Sequence, residues 1–199
     1  MTSITDGVWR LDPDRSSVEF HVPNFYGLMT VKGHFGRYDG TLDLSAQPAI
    51  ELTIEAGSLE TENKRRDKHL RSADFFDVES HPQVRFESDS ATLAGEILKV
   101  RGHLHAVGRH ILLDVDATLR EVDGQLEIEA GALADHRELG MTWSPLGLVR
   151  VPSKLTIRGP LLRVGGPDTP APNDAALAGA GHRARPRRHS PTRSSERLT

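Results

Sequence analysis

The chain has no cysteine, which excludes disulfide staples, thiolate nucleophiles and thiolate metal sites. That absence fits a reducing compartment. Aromatic residues are scarce, 5% of 199 residues, so any sizeable interior must be filled mainly by aliphatic side chains. No apolar run approaches the ~20 residues that a membrane helix requires. The first seventeen residues, MTSITDGVWRLDPDRSS, lack a basic stretch followed by an apolar one and do not read as a secretory leader. The expectation is a soluble cytoplasmic protein. A net charge of −3 gives no global reason to bind nucleic acid.

What is present is alternation of period two, the mark of strands with one buried face. Val18, Phe20 and Val22 share a face, as do Ile50, Leu52 and Ile54. Val84 and Phe86 make a short run. Leu98, Val100 and Leu104 oppose Lys99, Arg101 and His103, and Ile111 to Leu119 form the longest series. Leu126, Ile128, Ala130 and Ala132 follow, and Val151, Leu155, Ile157 and Leu161 complete the set. Turn signals separate the runs: Asp12-Pro13-Asp14, Asp39-Gly40, Gln47-Pro48, Ala94-Gly95 and the hairpin candidate Asp123-Gly124. Gly33, Gly36 and Gly40 mark bulges or bends. Sequential strands with short turns indicate an all-β antiparallel meander of about eight strands, closed into a barrel so that no edge is exposed.

The pattern dissolves after Gly165. The remaining stretch is rich in Pro, Gly, Ala, Ser and Arg, so the chain divides into a barrel domain, 1–164, and a disordered tail, 165–199. The tail carries Arg183, Arg185, Arg187, Arg188, Arg193 and Arg197. It is a candidate for weak contact with an anionic membrane surface, although its scattered charges read more simply as solvated.

A barrel of this size holds packed side chains or one small ligand. Its inward positions are almost wholly aliphatic, and Gly102, Ala117, Ala130 and Ala132 are small. Two readings stay open: a dry cavity suited to an apolar ligand, or a filled core.

Between Ser58 and Ser88 the alternation gives way to a charged run and then to Phe75-Phe76. Asn63 is placed to cap a short helix from Lys64 to about Arg71, with Glu62–Arg66 and Asp67–Arg71 as i,i+4 pairs and Leu70 as its anchor. Ser72 is placed to cap a second turn that brings Phe75 and Phe76 inward, so the helical insert occupies residues 63–77. Of the two rings, one is expected to meet ligand and the other to plug the barrel.

Ser58-Leu59-Glu60-Thr61, Arg66-Asp67-Lys68-His69-Leu70-Arg71-Ser72, Asp74-Phe75-Phe76-Asp77, and Pro82 with Phe86-Glu87-Ser88 resemble the signature of the YceI-like family. The likeness extends to Trp9-Arg10-Leu11-Asp12, Ser17-Val18-Glu19-Phe20, Gly33-His34-Phe35 and the stretch Arg137 to Trp143, in the same order. It spans roughly Val8 to Val164. The resemblance implies a lipocalin-like barrel with the insert near its mouth. It also implies a pocket for an isoprenoid chain, such as a polyprenyl lipid or quinone tail, or for a fatty amide, and a homodimer. One departure is Leu104-His105-Ala106-Val107-Gly108-Arg109-His110, where family members commonly read Leu-Thr-Ile-x-Gly-Val-Thr.

The candidate ligand-lining residues are Phe20, Phe25, Leu28, Phe35, Leu70, Phe75, Phe76, Phe86, Met141 and Trp143. Phe25, Tyr26, Leu28 and Met29 form an apolar loop that reads as portal or as core, and Met141, Trp143 and Leu146 admit the same two readings. Trp9 is assigned to the closed base. Arg66, Asp67 and His69 are read as a polar network pinning the insert rather than an acid/base set, because no nucleophile neighbours them. His103 and His105, with His110 near, suggest a metal, but they share a face with Lys99 and Arg101 that reads as solvent. No catalytic residue, metal or cofactor is assigned. The expected function is non-catalytic binding, transport or storage of a long-chain lipid. The alternative is an enzyme acting on a lipid-like substrate through Asp67 and His69.

Overall fold

A computed structural model describes residues 4–24, 29–122, 125–141 and 152–165 of the chain. The chain divides into Met1–Thr169 and Pro170–Thr199, and every described residue belongs to the first unit. The arginine-bearing tail lies outside the described residues, as do Phe25, Tyr26, Leu28, Trp143, Leu146, Asp123, Gly124 and Val151, and so does the side chain of Met29.

Among the described residues eleven strands form one sheet: β1 (Val8–Leu11), β2 (Ser17–Asn24), β3 (Met29–Phe35), β4 (Tyr38–Asp43), β5 (Ala49–Glu55), β6 (Leu59–Glu60), β7 (Gln83–Ala94), β8 (Ile97–Ala106), β9 (Arg109–Val122), β10 (Gln125–Ala134) and β11 (Ser153–Arg163). Eight of them close a ring in the order β1-β4-β5-β7-β8-β9-β10-β11, with β11 pairing back to β1. Every pairing is antiparallel. The first three staves are broken lengthwise. β11 pairs through Leu161–Arg163 with β1 and through Lys154–Arg158 with β2, so β1 and β2 are two halves of one stave bent at Asp12–Ser16. β3 with β4, and β5 with β6, repeat this arrangement. The Asp12 carboxylate stabilises the bend by accepting from the Asp14 N–H at 3.0 Å.

Alternation decides which face is buried. Along β8, Leu98, Val100, Gly102, Leu104 and Ala106 are buried while Ile97, Lys99, Arg101 and His105 are exposed. Strands β9 and β10 repeat the pattern, and their pairing extends to Val122 opposite Gln125. Leu42, Leu59, Leu98 and Leu119 are the largest fully buried side chains. Each contributes roughly 1.5–3 kcal/mol relative to exposure.

Two expectations need correction. The run Val84–Phe86 is the start of a twelve-residue strand, β7, whose middle, Glu87 to Ser90, is polar and carries a bulge between Ser88 and Ser90, before Ala91 and Leu93 return to the core. Asp39-Gly40 is no turn but lies inside β4. A Cβ on Gly40 would sit 3.2 Å from Leu52 and 3.5 Å from Leu11, so the glycine serves close packing. The β8–β9 hairpin turns on Val107-Gly108, both with positive φ (51° and 68°), as a two-residue primed turn requires.

The insert is one helix, α1 (Lys64–Arg71), followed by turns up to Pro82. The Asn63 side chain caps it, accepting from the N–H groups of Arg65 (3.2 Å) and Arg66 (3.1 Å). The expected i,i+4 ion pairs do not form. Arg66 turns to Thr61, and Arg71 donates to the carbonyls of Gly57 (2.9 Å) and Leu59. Glu62 is exposed and Asp67 is already engaged by Thr61, so the two guanidinium groups take carbonyl partners at the end of a broken stave instead. Ser72 ends α1, its hydroxyl donating back to the His69 carbonyl at 2.7 Å, while its own carbonyl takes the N–H of Phe75 at 3.0 Å.

Candidate functional site

The barrel is filled at one end and hollow at the other. A cavity of about 300 Å³ lies inside the half that faces the insert. Its walls are the inward positions of the strands: Val18, Phe20 and Val22 from β2, Val31 and Phe35 from β3, Leu52 and Ile54 from β5, and Val84 and Phe86 from β7. Leu104, Leu113, Ile128, Ala130, Ala132 and Ile157 continue the wall from β8 to β11, and the insert supplies Leu70, Phe75 and Phe76. In the other half Leu98, Val100, Ala117, Leu119 and Leu126 are packed together with Trp9 and take no part in the lining. The choice between cavity and filled core thus resolves into both, one at each end. Of the small inward residues, Ala130 and Ala132 border the cavity, whereas Ala117 belongs to the packed half. At Gly102 the missing side chain is replaced by the Phe86 ring and the β7 bulge, since a Cβ there would fall 2.8 Å from the ring and 2.3 Å from the Glu87 carbonyl oxygen.

Aromatic rings shape one wall. Phe20 and Phe35 meet at 5.4 Å, Phe35 meets Phe76 edge-on at 6.1 Å, and Phe76 meets Phe75 at 5.6 Å. Such pairs add about 0.5–1.5 kcal/mol each beyond area burial. The Phe20 ring lies over Gly33, where a Cβ would come within 2.3 Å of it. Gly33 is therefore what lets this ring stand at the wall.

A buried polar knot fastens the insert to β6. Asp67, 7% exposed, accepts from both the N–H (3.0 Å) and the hydroxyl of Thr61. Arg66 donates through Nε to the same hydroxyl at 2.7 Å and through Nη2 to the Thr61 carbonyl. A carboxylate so engaged is spent on structure, and a guanidinium anchored on the other side of the hydroxyl completes the triad. His69 follows two residues after Asp67 on α1. It lines the cavity, with Nδ1 3.9 Å from Asp74.

A second polar point in the lining escaped the sequence reading: His136, just past β10, and Ser153, the first residue of β11. Their Nδ1 and Oγ are 3.3 Å apart, and the imidazole stacks on Phe75 at 6.5 Å and 24°. Burial pushes the His136 pKa down, against the attraction of Asp135. Asp135 itself is lowered to about 2, chiefly by hydrogen bonds from Arg137. The signal was within reach, because counting by two from Ala132 and Ala134 arrives at His136, and counting back from Leu155 arrives at Ser153.

On the outer wall His103, His105 and His110 gather with ring centroids 5.4–6.3 Å apart, and His103 lies 2.9 Å from Asp89. Among the described residues no group of three or more His, Asp or Glu is arranged to hold a metal ion.

The family model for the YceI-like domain matches residues 9–159. The chain belongs to the YceI-like family. Among relatives, a UPF0312 protein of Pectobacterium atrosepticum is 32% identical over 106 residues, 51% of this chain and 55% of that protein. Protein YceI of Escherichia coli is 35% identical over 91 residues, 44% of this chain and 47% of that protein. The chain thus spans about half the length of the relatives it matches. Among solved structures, BcnA of Burkholderia cenocepacia aligns with a TM-score of 0.68 at 16% identity, covering 76% of this chain and 99% of that one. A polyisoprenoid binding domain from Saccharophagus degradans aligns with a TM-score of 0.60 at 10% identity, covering 80% and 99%. At such identities the likeness is one of fold: the closed eight-stranded barrel with its short helix.

Within this YceI-like barrel, Phe20, Phe35, Leu70, Phe75, Phe76, Phe86 and Met141 all line the cavity. Both rings of the Phe75-Phe76 pair face it, so the expected division between a contact and a plug is not seen. Phe25, Leu28 and Trp143 fall outside the described residues. Trp9 is 8% exposed, away from the cavity, with the Arg163 guanidinium 5.9 Å from its ring centroid.

Proposed function

We propose that this protein binds an isoprenoid or similar long-chain lipid in the hollow half of its barrel and performs no chemistry on it. The observation that carries the reading is the lining of the 300 Å³ cavity: aliphatic and aromatic side chains from β2 around to β11, interrupted by only a few polar groups. A site of this kind holds its ligand by removing apolar surface from water, about 0.8 kcal/mol per methylene, and its volume lies at the lower end for small-molecule sites. Discrimination per methylene is weak, so chain fit and head group decide selectivity. The polyisoprenoid binding domain of the same fold supports the reading by analogy of architecture. Turnover of a lipid-like substrate through Asp67 finds no support in the geometry, since Thr61 engages that carboxylate.

Native mass spectrometry of the protein after exposure to prenyl and acyl lipids tests the proposal. Retention of one lipid per barrel is the expected result. Failure to retain any of them, with the fold intact by circular dichroism, overturns it.

A further inference from the structure

We propose that His136 and Ser153 read the head group of the bound lipid, selecting a head that presents a hydrogen-bond-accepting oxygen over one that ends in hydrocarbon. This deepens the lipid-binding reading and rests on it.

Position comes first. Ser153 pairs in register with Ala134, so the two polar residues cap neighbouring strands at the same end of the hollow half. Beneath them the wall is apolar, formed by Ala132, Ala134 and Leu155. Phe75 stacks on the imidazole from the insert side. A lipid lying with its chain against the aliphatic wall brings its terminal group to this point.

The chemistry follows from counting protons. If the Ser153 hydroxyl donates to Nδ1 of His136, the neutral ring carries its proton on Nε2, and that N–H is left to donate. If instead Nδ1–H donates to Oγ, the hydroxyl proton is left. Either tautomer leaves the pair with one unspent donor, and an acceptor oxygen on the ligand satisfies it. An apolar terminus there leaves a half-buried donor unmatched, which is the asymmetry that lets a polar site reject an analogue. The lowered pKa of His136 keeps the ring neutral near pH 7, which fits the proton count.

The test uses the full chain and three probes with one C20 prenyl chain, ending in a methyl ketone, a carboxylate or plain hydrocarbon. Affinity is measured by displacement of a fluorescent fatty-acid analogue. The wild type is expected to bind the ketone or the carboxylate roughly fivefold more tightly than the hydrocarbon, the scale of one hydrogen bond. The tighter of those two identifies a neutral or an anionic head as the source of the oxygen. In Ser153→Ala, and in His136→Phe, which keeps an aromatic ring against Phe75, the preference should fall to near unity while hydrocarbon affinity and Tm hold. Equal binding of all three probes by the wild type, or a preference that survives both substitutions, overturns the assignment and leaves lipid binding standing. Binding of none of the three overturns the lipid reading itself.

Discussion

Replacing Ala132 by leucine separates a hollow half-barrel from a filled one. Ala132 lies on β10 opposite Val115 of β9 and Leu155 of β11, and all three border the cavity. The substitution adds three carbons to that space. If a ligand chain occupies it, about three methylenes are displaced at about 0.8 kcal/mol each, so affinity falls by about 2.4 kcal/mol, roughly 60-fold in Kd. Stability should hold or rise, because the added carbons bury apolar surface without forcing neighbours apart. The matched control is Ala117→Leu in the packed half, where Ala117 of β9 pairs in register with Leu98 of β8 and is 2% exposed. Overpacking there is expected to cost about 1–3 kcal/mol while leaving the cavity wall unaltered. Urea denaturation and fluorescent-lipid displacement on both variants give the four numbers. A loss of stability at Ala132 as large as that at Ala117, with affinity unchanged, refutes the division of the barrel into packed and hollow ends.

Other outcomes follow from single contacts. Asp67→Ala strips two hydrogen bonds from Thr61 at a buried site and should destabilise by roughly 2–4 kcal/mol in chemical denaturation, with Asp67→Asn milder. Val107→Asn places an αL-tolerant residue where φ is 51° and should raise stability by about 0.5–1 kcal/mol, read as an increase in Tm. Because the His136 pKa is depressed in the fold, the unfolded chain binds the extra proton first. Its contribution is therefore complete above the ordinary histidine value of 6.5 and is lost as pH falls through that value toward the lower folded one. Urea midpoints measured from pH 7.5 to 5 should decline in the wild type, with a shallower decline in His136→Phe. Asp135, lowered to about 2, behaves alike in a separate window. Its contribution stands above pH 4 and is lost toward pH 2, and Arg137→Met should flatten that acid limb.

Much of the barrel is legible because its strands obey one rule. Where β8 to β10 alternate strictly, the buried face follows residue by residue from the pattern. Legibility fails where another interaction replaces side-chain burial. The middle of β7 is carried by backbone pairing with β8 across a bulge, so Ser88, Asp89 and Ser90 give no apolar signal. Asp39-Gly40 has the composition of a turn, but Gly40 is there for the close approach of Leu11 and Leu52. The aromatic part of the site is legible because Phe75 and Phe76 interrupt a charged segment that buries little else. Asn63 is legible as a cap because its side-chain oxygen needs only local backbone partners. Arg66 and Arg71 are not, since their partners are carbonyls of a broken stave whose position depends on the closed ring. His136 and Ser153 are missed for a similar reason, as only the β10–β11 register brings them together.

The most direct measurement of the central claim is organic extraction of protein purified without detergent from a prenyl-lipid-producing host, with mass-spectrometric identification and quantification of what is released. The expected result is a long-chain lipid near one per chain from the wild type, and markedly less from Ala132→Leu purified in parallel. Wild-type protein that releases no lipid, or an Ala132→Leu variant that releases as much, contradicts the account.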